Sequence, residues 1–84
     1  MEEEISGIVE VIHELLEDNT VPKNVKSKLE TIIDILKEDL ELSIRINKAL
    51  TEIEEVADDT NLQSYTRTQI WNLVSMLEML GNGN

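Results

Sequence analysis

Residues 59–77, "DTNLQSYTRTQIWNLVSML", decide the fold once they are laid without a gap over residues 18–36, "DNTVPKNVKSKLETIIDIL". Asp59 falls on Asp18, Asn61 on Thr20, Leu62 on Val21 and Arg67 on Lys26. Ile70, Leu73, Val74 and Leu77 fall on Leu29, Ile32, Ile33 and Leu36. The offset of 41 residues continues upstream, where Ile5, Ile8, Val9, Ile12, Leu15 and Leu16 meet Ile46, Ala49, Leu50, Ile53, Val56 and Ala57. A repeat therefore spans the chain, with residues 1–41 as its first copy and 42–82 as its second, in a single domain of 84 residues.

Each matched apolar set follows the i, i+3, i+4, i+7 spacing of a helix with one buried face. Four helices are predicted, at roughly 2–17, 21–37, 40–57 and 62–80. Thr20 and Asn61 stand at equivalent N-cap positions, and Pro22 lies in a first turn, where its missing N–H costs nothing. Gly81 and Gly83 end the last helix, and Asp39 or Ser43 is the cap between the second and third. Two helical pairs of this period predict an all-α, HEAT-like stack of two helix-turn-helix repeats sharing a core.

"DNTVPKNVK" (18–26), "LELSIR" (40–45) and "YTRTQIWNLVSMLEML" (65–80) together resemble a small archaeal family of unknown function, uncharacterised protein family 0147. The likeness covers nearly the whole chain. It implies a compact all-helical, HEAT-like fold and no assigned activity.

Where the repeats disagree, a surface is predicted. With about 100° of turn per residue, Val11 and Ile35 each lie roughly 100° from their core direction in one sense, and Trp71 about 120° in the other. Their mates include Glu52 for Val11 and Glu30 for Trp71. Side-by-side stacking would bring the Val11 and Ile35 side against Trp71, which makes the lone tryptophan an inter-repeat wedge. An exposed protein anchor is the alternative for that ring. Ile44 and Met79 replace Glu3 and Glu38, while Met76, the mate of Ile35, faces the open end. With Leu80, these residues form the candidate protein interface, for a second copy or an unlike partner.

Eighteen acids against seven bases give a net charge of −11. That charge repels phosphate backbones and favours a basic protein partner, so no direct nucleic-acid binding is expected. The acidic start "MEEEISGIVEV" has neither a basic leader nor a long apolar run, so a cytoplasmic protein without a membrane span is expected. Cysteine is absent, which removes thiol chemistry.

Candidate chemistry is thin. Glu10 and His13 have the Glu-x-x-His spacing of bundle metal sites, but His13 is the only histidine, so no metal or other cofactor is expected. Paired carboxylates are too abundant to mark a catalytic acid, and no phosphate loop follows a strand. Lys26 and Arg67 sit in first turns, where a cation opposes the helix dipole, so ion pairs with Asp18 and Asp59 are expected to hold them. These features predict a protein-interaction module or small assembly subunit and no enzyme. The alternative is a small-ligand or metal-binding protein, an enzyme included, using Glu10 and His13 or a groove between helices.

Overall fold

The computed structural model describes residues 2–82 and is built from four α-helices. These are α1 (Glu2–Leu16), α2 (Lys23–Leu36), α3 (Leu42–Ala57) and α4 (Ser64–Asn82). Each carries one apolar stripe, and all four stripes point to one axis. Ile8 and Ile12 of α1, Leu29 and Ile32 of α2, Ile53 of α3, and Ile70, Leu73 and Leu77 of α4 are almost wholly excluded from solvent.

Neighbours run in a ring: α1 packs on α2 and α4, and α3 packs on α2 and α4. Short links make successive helices antiparallel, so the result is an up-and-down four-helix bundle, 34 Å long and 20 × 19 Å in section. A HEAT-like stack would set equivalent helices side by side, α1 with α3 and α2 with α4. Here those are the diagonal pairs, and no close backbone approach joins them among the described residues. The expected side-by-side stack is corrected accordingly. The sequence repeat instead relates the hairpins by about half a turn around the bundle axis. Two hairpins alone, each with one apolar face, bury most area by pressing those faces together; stacking them sideways leaves both faces partly open.

The turns show the repeat at atomic detail. Asp18 Oδ1 accepts the Thr20 N–H at 2.8 Å, and Asp59 Oδ1 accepts the Asn61 N–H at the same distance. The Val21 N–H then reaches the Asp18 carbonyl at 3.2 Å, and the Leu62 N–H reaches the Asp59 carbonyl at 3.4 Å. Val21 and Leu62 are both buried beneath these turns. The aspartates thus build Asx turns, so Thr20 and Asn61 serve as turn residues and not as N-caps. As a result α2 and α4 each begin two residues later than predicted, at equivalent positions. Pro22 becomes the N-cap of α2, with extended φ −61° and ψ 151°.

Two other boundaries differ. Glu41, and neither Asp39 nor Ser43, is the N-cap of α3, with no side-chain cap bond. Gly81 does not end α4, which continues through Asn82, and its φ is not positive. A Cβ at Gly81 would lie 3.2 Å from Ile46 Cγ2, so the missing side chain lets the ends of α3 and α4 approach closely. Gly83 lies outside the described residues.

Candidate functional site

In an antiparallel hairpin the first turn of one helix lies beside the last turn of the helix before it. The fourth residue of α2, α3 and α4 is a cation in every case: Lys26, Arg45 and Arg67. Arg45 Nη1 donates to the carbonyl of Leu36, the last residue of α2, at 2.9 Å. Arg67 Nη2 donates to the carbonyl of Asp59, just past α3, at 3.1 Å. A cation misplaced for its own helix dipole is well placed for the C-terminal carbonyls of its neighbour.

The expected side-chain ion pairs are corrected on this point. Arg67 uses the Asp59 carbonyl, while the Asp59 carboxylate accepts from Asn61 and, at 3.3 Å, from Asn24 Nδ2. The Asp18 carboxyl is held below its usual range first by the Thr20 hydroxyl and N–H, with the Lys26 charge a lesser contribution. Main-chain carbonyls are the better partners because they are fixed, whereas the carboxylates are already committed to their turns.

A polar seam joins the hairpins along α2 and α3. Lys28 Nζ lies 2.8 Å from Glu52 and 3.0 Å from Glu55, and these two bonds hold its ammonium above the usual lysine range. Lys48 reaches Glu38 at 2.6 Å. A cleft of about 140 Å³ lies along this seam beside Asn24, Lys28 and Asp59.

The outer surface separates the hairpins. Four large apolar side chains of the second repeat are exposed: Ile44 (44%), Tyr65 (67%), Trp71 (47%) and Met79 (74%). Their mates in the first repeat are Glu3, Asn24, Glu30 and Glu38, all exposed and polar. The first repeat also holds twelve of the eighteen acids. Leu40, at the end of the first repeat, is exposed too, but the bundle is otherwise polarised into a strongly acidic hairpin and one that exposes apolar groups.

Trp71 is not buried between the repeats. It lies outside the hydrophobic core, Ile35 is buried within the core, and Val11 is half-buried against it. Because α2 and α4 are diagonal, Ile35 and Trp71 are not brought together. Of the candidate interface, Ile44 and Met79 are exposed, but Leu80 is buried and Met76 packs partly buried on the core. The face-to-face bundle turns the side of α4 that carries Met76 toward a neighbouring helix and leaves the outer side open. Glu10 and His13 are exposed on α1, and among the described residues no group of three or more His, Asp or Glu side chains could hold a metal. No helix among these residues is long and apolar enough to cross a membrane.

Arg45 is not among the residues that the sequence singles out. Arg45 lines an open hollow of about 400 Å³ at the end of the bundle where α1 starts, α2 ends and α3 starts. Its side chain is only 14% exposed, and its Nε is buried without a hydrogen-bond partner. The recurrence was visible all the same, since Lys26, Arg45 and Arg67 stand equally far from the three predicted helix starts.

The comparisons agree with this architecture. The crystal structure of the unknown-function protein MMP1188 superposes with a TM-score of 0.84 at 34% identity, covering 89% of this chain and 86% of that one. The UPF0147 protein MJ1419 of Methanocaldococcus jannaschii is 37% identical over 78 residues, 92% of this chain and 84% of its own length. The UPF0147 protein PYRAB16980 of Pyrococcus abyssi is 32% identical over 82 residues, 95% of each chain. Residues 1–80 match the uncharacterised protein family UPF0147, and the chain belongs to that family.

Proposed function

We propose that this chain is a small helical interaction module that docks a protein partner through the outer surface of its second hairpin. One observation carries the reading. The two repeats share most of their interior and the same turns, yet Glu3, Asn24, Glu30 and Glu38 become Ile44, Tyr65, Trp71 and Met79 on the surface. Core packing gives no reason for that change, because none of the four belongs to the buried core. Exposed aromatic and methionine side chains are the usual anchors of protein interfaces.

The first hairpin supplies the electrostatic half. Its concentration of acids steers a partner carrying basic residues beside its apolar patch, raising the encounter rate more than the final affinity. The mechanism is presentation of a rigid helical surface, with no catalytic step.

The test is a graft of the first repeat's surface onto the second: Ile44→Glu, Tyr65→Asn, Trp71→Glu and Met79→Glu in one variant. Affinity capture from the source cell is run with both proteins. The reading expects defined partners, enriched in basic proteins, to be retained by the parent chain and lost by the folded variant. Identical retention by both would overturn it. Self-association of the parent chain alone, seen by sedimentation, would replace the unlike partner with a second copy.

A further inference from the structure

We propose that the hollow at the end of the bundle binds a small carboxylate carried on a short aliphatic chain. It is an open hollow of about 400 Å³, wide enough to seat a small ligand against one side. The apolar side is Val9 with the edges of the buried Ile5 and Leu36, and the polar side holds Arg45, Lys37 and the Ser6 hydroxyl together with the Glu2 carboxylate. In a chain with only seven bases, two of them line this one space.

Arg45 is built to hold such a group. Its Nη1 is fixed on the Leu36 carbonyl, which sets the orientation of the planar guanidinium before any ligand arrives. Its Nη2 lies 3.9 Å from Glu2 Oε2, beyond hydrogen-bond reach, and that Glu2 side chain is 78% exposed. A carboxylate entering the hollow can accept a charge-assisted bond from Nη2 and displace a weakly held, solvated Glu2. The aliphatic chain then lies chiefly on Val9, beside the buried Ile5 and Leu36.

The internal repeat supplies a control within the molecule. At the corner related by the half-turn, the apolar wall recurs as Ile46, Leu50 and Leu77. The two cations do not: the mates of Lys37 and Arg45 are Glu78 and Glu4. The related corner thus carries acids where this one carries its two cations. Their charge is what distinguishes this corner, and an anion is what that charge suits.

The experiment is a 1H–15N titration of the full chain with 4-methylpentanoate at physiological salt, with 4-methylpentanamide and isopentylamine as neutral and cationic controls. Saturable shifts are expected at Ser6, Val9, Lys37 and Arg45 with the acid only. Lys37→Gln leaves the Arg45 anchor in place and should weaken the acid roughly tenfold, the loss of one charge-assisted contact. Arg45→Gln should abolish saturation, and Lys37→Glu keeps the test decisive if the Arg45 variant fails to fold. A peptide ending in leucine, with free or amidated C-terminus, distinguishes a free metabolite from a chain terminus as the source of the carboxylate. Equal binding of acid and amide, shifts confined to other residues, or no saturable shift would overturn the proposal.

Discussion

The two hairpins were built to one plan inside and to different plans outside. Ile32 and Leu73 are equivalent and both fully buried, and the Asp18 and Asp59 turns share the same bonds at the same offset. Yet Glu30 and Trp71, two residues before those core positions, are equally far from any shared role. Interior positions are constrained by the common core, which either hairpin must fill. Outer positions are free to diverge, and their divergence is where function is to be sought.

The comparison can be broken most severely in the core. Ile32→Ala and Leu73→Ala should each cost about 2–5 kcal/mol, the range for truncating a fully buried aliphatic residue. Denaturant unfolding should show losses of similar size in the two hairpins. A loss below about 1 kcal/mol in one alone would show that they do not share one core.

Next in size are the arginines that bond preceding helix ends. Arg67→Ala and Arg45→Ala should each cost about 1–3 kcal/mol, because each removes a charged donor from a carbonyl at a helix end. Asp59→Asn should cost less than about 0.5 kcal/mol, since an amide oxygen can still form the Asx turn. If Asp59→Asn costs as much as Arg67→Ala, a carboxylate–guanidinium pair holds the turn after all.

The glycines sharpen the contrast further. A Cβ at Gly7 in α1 meets nothing within 4 Å, so Gly7→Ala should stabilise by about 0.5–1 kcal/mol through helix propensity. At Gly81 the same gain is opposed by the Ile46 side chain, and the net change should be near zero or unfavourable. Equal stabilisation at both sites would mean that α3 and α4 are not in close approach there.

The smallest effects are in pH dependence. The Asp18 carboxyl has a lowered pKa in the folded state, so its contribution is present above the ordinary value of 3.8 and is lost as pH falls through the lowered one. Lys28 is raised, so its contribution is present below 10.5 and is lost as pH rises through the raised value. Asp18→Asn should flatten the acid limb of the stability profile, and Lys28→Met the alkaline limb.

The helices, the repeat and most of the core were legible in the sequence because apolar spacing records directly which face is buried. The packing of the hairpins was not. Spacing along one helix does not say whether hairpins meet face to face or side by side, and it is the face-to-face packing that sets Ile35 and Trp71 on diagonal helices. The starts of α2 and α4 were misjudged because Asp18 and Asp59, two residues upstream of the expected caps, take the N–H groups first. The site was legible only in part: Ile44 and Met79 could be picked out by their mates, whereas Leu80 and Met76 needed the ring of neighbours to be known. Arg45 escaped because its partner is a main-chain carbonyl, which leaves no mark in side-chain pairing patterns.

On the proposed function, the four apolar positions of the second hairpin serve its surface and not its fold. Equilibrium denaturation of the variant carrying Ile44→Glu, Tyr65→Asn, Trp71→Glu and Met79→Glu tests it most directly. Surface substitutions typically change stability by less than about 0.5 kcal/mol each, so a total change below about 2 kcal/mol is predicted. A loss of about 4 kcal/mol or more, or failure to fold, would place these residues in the fold and contradict the account.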